Sequence, residues 1–374
     1  MVYIVIIRVI KALWGLIMLK YLNERLPDYD VNFFINELFE TSKLFGMLEA
    51  KIEDYKFSRI LFPVLHKKEA ISSMAIEGTQ TTISDVLEHE ISPQKKENKE
   101  YIEVKNHADA LMYGINYLKE NAFSNNFFHE LHQKMMVNIL PDSKKDCIGK
   151  YKVKNNRIVT SLNKLVFLPP DFKETPRYMN ELISFMNNTQ ENMNPLIKAA
   201  IIHSQFESIH PFEDGNGRVG RLLITLYFFK AKIINFPFFY ISEAISQDKA
   251  VYYSKLTSSR EGNYNEWIKF FLQKCIVQTK KHISYIDSLN QLYEKTKLVV
   301  QEAINSAIFD RIIECMFMYP ILNSKTLSDK LGVAVIQARR YLDILESKNL
   351  LLGDDHQRNR TYYFHELLDL ARRN

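Results

Sequence analysis

The sequence predicts a mainly helical protein that carries one small β-hairpin and ends in a winged helix-turn-helix. Three observations lead there. Glycine is sparse, at 11 of 374 residues, so few positions ask for the backbone freedom that turns need. Apolar residues recur at helical spacing, as at Phe33, Phe34, Leu38, Leu44, Leu48 and Ile52. Roughly the last 70 residues change character: two short helices flank a glycine turn, and β-rich runs follow.

Composition narrows the class. The chain is 46% hydrophobic and 25% charged, as a globular protein is. Its length suits two or three domains of about 100–200 residues each. A net charge of +5 is small for this size and does not by itself mark a nucleic-acid binder. Cys147, Cys275 and Cys315 are scattered, with neither metal-ligand spacing nor a disulfide framework, which fits a reducing cytoplasm. The segment VYIVIIRVIKALWGLIML at 2–19 is apolar but interrupted by Arg8 and Lys11. It is short for a spanning helix of about 20 apolar residues and lacks the layout of a signal peptide. The first expectation for residues 1–20 is a mis-assigned start, with Met18 the true first residue. A peripheral membrane helix comes second and an anchor last.

The elements follow in order. Residues 21–100 form an N-terminal helical region. In EAISSMAIEGTQTTISDVLEHE one helix ends at Gly78, and a second, capped by Ser84, follows a polar loop. SPQKKENKEY at 92–101 reads as an exposed loop, and helical pattern resumes over 104–120 and 126–138. In KYKVKNNRIVTSLNKLVFLPPD the β-rich runs 157–161 and 164–167 are joined at Leu162 and Asn163 and stopped by Pro169 and Pro170, a hairpin. Residues 176–230 are helical except at one motif. From Glu266 one or two long helices lead out of a core at 101–275, through a helical linker at 276–305, to a C-terminal domain at 306–374. There Ser324 caps a helix, Gly332 and Val333 make a turn, and a second helix runs through Leu345. A Gly353-Asp354-Asp355 hairpin and the β run 361–364 complete the wing.

The motif is HPFEDGNGRVGR at 210–221. Proline and glycine break what would otherwise be continuous buried helix, at a cost of about 3 and 1 kcal/mol in a helix interior. A helix that starts after Gly215 exposes unpaired N–H groups with a partial positive charge. Gly215 and Gly217 let an anion come close, and Asn216 offers a side-chain amide. Arg218 and Arg221 project from one face of the new helix. Together these make a phosphate cradle. Asp214 beside a polyphosphate is suited to hold Mg²⁺, and His210 is the group suited to take a proton near neutral pH. Phe212 is read as a core anchor.

HPFEDGNGRVGR resembles the Fic-family signature HPFx(D/E)GNGRxxR at every defining position. The preceding HSQFESI and the later GNYNEWIKFFL are also similar to that family, and Ser73-Met-Ala-Ile-Glu77-Gly78 resembles its (S/T)xxxE(G/N) inhibitory motif. The resemblance spans about 30–275 and implies an all-α Fic core at 101–275 with the hairpin as its flap. It implies transfer of AMP from ATP to a Ser, Thr or Tyr hydroxyl of a target protein, with self-modification. Carried over residue by residue, His210 deprotonates the hydroxyl, which attacks the α-phosphorus as pyrophosphate leaves. Asp214 holds Mg²⁺, Gly215, Asn216 and Gly217 form the anion hole, and Arg218 and Arg221 steady the β- and γ-phosphates. Ser73 and Glu77, one helical turn apart, bring a carboxylate to Arg221 that excludes the γ-phosphate. The flap at 153–168 aligns the target peptide by strand addition. Gln205 and Gln247 are candidates for the nucleotide pocket and Tyr253 for the adenine, with ordinary core or surface places as the alternative.

Two other functions compete. The same site in some relatives removes AMP or transfers another phosphate-containing group. A DNA-binding regulator that uses the Fic body as a ligand sensor is the non-enzymatic alternative, resting on Gln337, Arg339, Arg340, Arg358 and Arg360. Asp343, Glu346, Asp354 and Asp355 nearly cancel that charge, which points to weak DNA binding or a protein partner. A homo-oligomer stays open.

Overall fold

A computed structural model describes residue 22 and residues 27–52, 55–91, 99–159, 165–189, 192–304, 306–356 and 360–372. The apolar segment 2–19, most of the polar loop after position 91, the hairpin tip at 160–164 and Arg358 lie outside them. A 3-10 turn, Val31–Phe34, leads into α1, Ile35–Ile52, then α2, Tyr55–Glu77, α3, Ile83–Ile91, α4, Lys99–Glu120, and α5, Asn125–Met136. A small antiparallel hairpin follows, β1, Ile158–Val159, and β2, Leu165–Phe167, with Ile158 opposite Phe167. Helices α6, Thr175–Asn187, α7, Pro195–Ile209, α8, Asn216–Lys230, α9, Ser242–Gln247, α10, Lys249–Arg260, and α11, Tyr264–Ala303, complete the main body.

The C-terminal elements are α12, Phe309–Met318, β3, Ile321–Asn323, α13, Ser324–Leu331, α14, Val335–Ser347, β4, Leu352–Gly353, β5, Thr361–Tyr363, and α15, His365–Arg372. β5 lies between β3 and β4, antiparallel to both.

The pair α7 and α8 sits at the centre because its sequence is apolar on nearly every side. Every residue of α7 after Pro195 is buried, and α8 buries Val219 through Phe228. Such helices have no solvent face and must be surrounded. Helices α4, α5, α6 and α11 surround them. One 40-residue helix, α11, runs unbroken across positions 275 and 276. Its inner face, from Trp267 through Cys275, His282, Tyr285 and Leu289 to Val300, is buried at three- and four-residue spacing. It packs on α1 along its length and meets α12 and α15 beyond. No described helix is long and apolar enough to cross a membrane.

Two caps differ from expectation. Thr82, not Ser84, caps α3: its Oγ1 accepts from Asp85 N at 3.2 Å and Asp85 Oδ2 accepts from Thr82 N at 3.0 Å, a reciprocal capping box. Ser84 is already inside the helix. Asn323, not Ser324, caps α13, since its extended backbone lets Oδ1 accept from Thr326 N at 2.9 Å. The cap is the residue whose side chain reaches back to the third helical N–H, and in both cases that lies one or two residues earlier. Asn323→Ala is therefore expected to lower stability by about 1 kcal/mol in urea denaturation, and Ser324→Ala by no more than about 0.5 kcal/mol.

Candidate active site

The motif's first residue ends α7 in an unusual conformation. His210 adopts φ 49° and ψ 60°, the left-handed region, which costs a non-glycine residue about 1–2 kcal/mol. The turn is pinned from outside. Lys152 Nζ donates to Ile209 O at 3.2 Å, Asn156 Nδ2 to His210 O at 3.1 Å and to Phe212 O at 3.0 Å, and Lys152 N to Pro211 O at 2.8 Å. Phe212 is fully buried, as expected of a core anchor, and stacks on His132 at 3.9 Å with an 8° interplanar angle. Gly149 N–H donates to His132 Nδ1, so its Nε2–H donates to Asp214 O at 3.0 Å. Burial pushes His132 down to about 4, with smaller charge effects around it, so this neutral tautomer persists.

Helix α8 then begins with open N–H groups. Gly215 is its cap, at φ 79°, and supplies no side chain; a Cβ there would fall 2.6 Å from Met136 Sδ. Asn216 does not add its side-chain amide to the cradle. Oδ1 accepts from Phe212 N and Nδ2 donates to Phe212 O, both at 2.8 Å, so the side chain braces the loop and only its backbone N–H faces outward.

The cradle holds an anion belonging to the chain itself. Arg221 is 1% exposed. Its Nε donates to Ser73 Oγ at 2.9 Å, and its Nη2 donates to Ser73 O at 3.0 Å and to Glu77 Oε1 at 2.8 Å. A Cβ on Gly217 would lie 2.2 Å from Glu77 Oε1 and 2.8 Å from Arg221 Nη1, so the carboxylate rests against the first turn of α8. Burial alone would push Glu77 up, but the Arg221 charge and hydrogen bond, with Arg218 and His210 beyond, hold it below the usual carboxylate range. Burial likewise opposes the charge on Arg221, and Glu77, Tyr252 and Glu207 raise it overall.

The other predicted residues divide. Asp214 Oδ1 accepts from Gly215 N at 2.7 Å and from Arg218 Nη2 at 3.3 Å, while Oδ2 lies 3.8 Å from Lys144 Nζ. Arg218 also reaches Glu103 at 3.4 Å. No group of three His, Cys, Asp or Glu residues able to hold a metal occurs among the described residues, and Asp214 shares Arg218 with Glu103. Tyr253 is 41% exposed on α10; desolvation, with Glu77 and Glu207 adding to it and Arg221 opposing, raises its hydroxyl to about 12. Gln205 turns into the core and donates to Tyr264 Oη at 2.7 Å, and Gln247 is exposed at the end of α9.

Burial pushes the His210 imidazole down to about 4, helped by the Lys152 and Arg260 cations and opposed by Glu77. It is therefore neutral, the form that can take a proton, over the whole ordinary pH range. Its Nδ1 is buried and makes no hydrogen bond among the described residues.

Sequence reasoning missed Lys152, Asn156, Glu207 and Arg260. Burial pushes Glu207 up to about 7, and its Oε1 has no hydrogen-bond partner among the described residues. Arg260 lies 4.5 Å over the ring of Phe167 in the hairpin and reaches Ser208 Oγ at 3.3 Å. Glu207 is one residue from Ser208 in HSQFESI, the one signal that could have drawn attention there. Gly220 exists for Glu207, because a Cβ on it would meet Glu207 Oε1 at 2.3 Å.

Residues 122–228 match the Fic/DOC family and residues 36–116 match the Fic/DOC family N-terminal region. Together these take in half of the chain, which belongs to the Fic/DOC family. Its fold is the all-α Fic fold with a small β-hairpin. A probable protein adenylyltransferase of Aquifex aeolicus (strain VF5) is 24% identical over 220 residues, 54% of this chain and 65% of that protein. The protein adenylyltransferase Fic of Nematostella vectensis is 27% identical over 213 residues, 55% of this chain and 46% of that protein. The chain thus matches less than two thirds of either relative's length. The crystal structure of a Fic family protein from Desulfovibrio desulfuricans G20 superposes with a TM-score of 0.59 at 20% identity, covering 91% of this chain and 98% of that one.

Two of the helix glycines, Gly46 and Gly220, separate space from crowding. Gly46, inside α1 with nothing within 4 Å of a built Cβ, should accept alanine with a gain of up to about 1 kcal/mol. Gly220→Ala is expected to cost about 1–3 kcal/mol in the same denaturation experiment.

Proposed function

We propose that this protein transfers AMP from ATP to a Ser, Thr or Tyr hydroxyl of a target protein, its own chain included, and that Glu77 restrains the reaction. The observation that carries this is the Glu77 carboxylate seated on Arg221 against Gly217, at the open N-terminus of α8. A buried guanidinium and the N–H groups of the first turn of α8 form a site for a multiply charged anion, and here a carboxylate of the same chain fills part of it. The names of the two relatives, both protein adenylyltransferases, support the choice of ATP and adenylyl transfer.

In this reading His210 takes the proton of the target hydroxyl as its oxygen forms a bond to the α-phosphorus. The bond from that phosphorus to the bridging oxygen breaks, and pyrophosphate carries away the electron pair. The N–H groups of Gly215, Asn216 and Gly217, with Arg218 and Arg221, orient the phosphates and offset their charge. Asp214 fits Mg²⁺, which commonly takes one or two carboxylates and completes its sphere with water and substrate phosphates. When bound, that ion would neutralise phosphate charge. Tyr253 is placed in this reading against the base, and the exposed residues Val159 and Leu165 of the hairpin face an incoming peptide strand. The polar commitment of Gln205 to Tyr264 speaks for its core role.

The DNA-regulator reading finds less support. Arg360 is forked onto Glu346 at 2.7 and 2.8 Å, and Arg339 faces Asp343 at 4.0 Å. Cations already paired release few counterions from a phosphate backbone.

Purified full chain incubated with labelled ATP tests the proposal. Glu77→Gly should label itself and lysate proteins about tenfold or more above wild type, because an arginine cannot serve a carboxylate and a γ-phosphate together. Arg221→Ala should be inactive with or without Glu77. Equal labelling by wild type and Glu77→Gly would refute the restraint, and loss of a mass of AMP from a modified target would replace transfer with removal.

His210→Ala in the Glu77→Gly background should lose transfer by about 10²-fold or more while still binding ATP, since the imidazole moves a proton and does not hold phosphate. Asp214→Ala should flatten the Mg²⁺ dependence of nucleotide binding in a calorimetric titration. An unchanged dependence would remove Asp214 from the metal role.

A further inference from the structure

The segment that precedes the hairpin makes an unusual set of contacts. Four consecutive carbonyls, of Ile209, His210, Pro211 and Phe212, each accept a hydrogen bond from Lys152 or Asn156, and Phe212 O accepts a second from Asn216. Lys152 is 4% exposed, and its ammonium also donates to Asn156 Oδ1 at 2.9 Å. That contact fixes the orientation of the amide. With a cation on its oxygen, Asn156 must turn its NH₂ toward the carbonyls of His210 and Phe212, one hydrogen for each. The lysine thus acts twice, once on the backbone ahead of His210 and once through the asparagine on the backbone after it.

We propose that Lys152 and Asn156 are positioning residues for the reaction, a clamp that holds His210 in its left-handed conformation and ties its setting to the hairpin on which a target strand would dock. The inference rests on the assignment of His210 as the base. A left-handed histidine at the end of a helix is strained, and the strain persists only where surrounding contacts over-determine it. The clamp supplies four such contacts. It is also continuous in sequence with β1, two residues after Asn156, and β2 is held from the other side where Phe167 lies under Arg260. Movement of the hairpin therefore reaches Lys152 and Asn156 through a few residues of covalent chain, and the His210 turn through their hydrogen bonds.

Lys152 has a second effect through its charge. The charged groups that face the His210 ring are Lys152 from this segment, Arg260 from α10 and Glu77 from α2. The two cations disfavour the imidazolium, and Glu77 favours it. Burial pulls the Lys152 ammonium itself down to about 8, as expected of a lysine whose partners are neutral oxygens. Removing its charge should raise the His210 midpoint from about 4, while burial, the larger cause, and Arg260 still hold it below the ordinary imidazole value. In the sense of catalysis, the neutral base would then be lost over a mildly acidic range where the parent keeps it.

The test uses full-length protein carrying Glu77→Gly, with labelled ATP as substrate and incorporation into the chain as readout between pH 4.5 and 8. Lys152→Gln keeps a donor and removes the charge, Lys152→Arg restores the charge, Asn156→Asp removes both amide donors, and His210→Ala is the reference. The expected result for Asn156→Asp is a kcat lower by about tenfold or more, with KM for ATP within about twofold of the parent. Lys152→Gln should lower kcat and move the acid limb upward, and Lys152→Arg should recover both. Should either variant fold poorly, [15N]histidine spectra of Lys152→Gln and Lys152→Arg give the His210 titration directly, without activity. The inference is overturned if kcat and the acid limb match the parent in Lys152→Gln and Asn156→Asp while His210→Ala is inactive. It is also overturned if Asn156→Asp raises KM for ATP and leaves kcat alone. Activity surviving in His210→Ala would instead overturn the base assignment itself, and the clamp with it.

Discussion

Everything near the centre of this molecule is arranged around one guanidinium that cannot shed its charge. Arg221 is almost fully buried and stays protonated under any ordinary condition, so the fold must always supply it with oxygen atoms. Ser73 gives two, a hydroxyl and a carbonyl, and Glu77 gives a charge. Glu207 waits nearby, held up at about 7 by its burial. The inner face of α2 is organised for this purpose. His66 bonds His107 at 3.0 Å, Glu69 accepts from Ser242, and Ser73 and Glu77 follow one turn apart on Arg221. A helix fastened by buried polar contacts at four levels belongs to the core. On the proposed reading, exchange of a carboxylate for a phosphate at Arg221 falls to the Glu77 side chain, 39% exposed, and not to a departure of α2.

The second constraint is the left-handed turn at His210. A histidine there gains a position it could not reach from regular helix, because α7 itself is buried on all sides. Its surroundings then set its chemistry. Burial and two cations keep the ring neutral, and the same segment that brings one of those cations also fixes the backbone. Electrostatics and geometry at His210 are thus not separable contributions, and they share the residue Lys152.

Much of this was legible in the sequence, for reasons that differ by element. The break between α7 and α8 announced itself because proline and glycine are costly in buried helix and so need a cause. Ser73 and Glu77 could be placed at the cradle because their spacing puts both on one helical face, and the family resemblance, not the spacing, chose Arg221 from the motif's two arginines. Local pattern failed where side chains serve distant backbone. Asn216 looked like a free amide, yet it braces Phe212, and nothing in four adjacent residues tells a ligand donor from a loop brace. The misplaced caps at Ser84 and Ser324 have a related cause: two or three candidate residues stand in a row, and backbone geometry chooses. Lys152 and Asn156 lie about 55 residues from the turn they hold (Asn156 to His210 is 54 apart), so periodicity carries no trace of them. Glu207 and Gly220 are a matched pair, visible only once α7 and α8 cross.

The long helix α11 has a consequence for how such a chain can be divided. At 1.5 Å per residue its 40 residues extend about 60 Å. Near its start Trp267 donates to Ala200 O in the middle of α7, and near its end Tyr293 meets Phe317 while Lys295 pairs with Glu366. Between them Asp287 pairs with Lys51 of α1. A cut at position 275, natural from the sequence pattern, would divide one hydrogen-bonded rod and strip the partner from the apolar side of α1. The C-terminal part is consequently not a cassette that recombination could exchange at will. The same backbone ladder is structural timber for both parts.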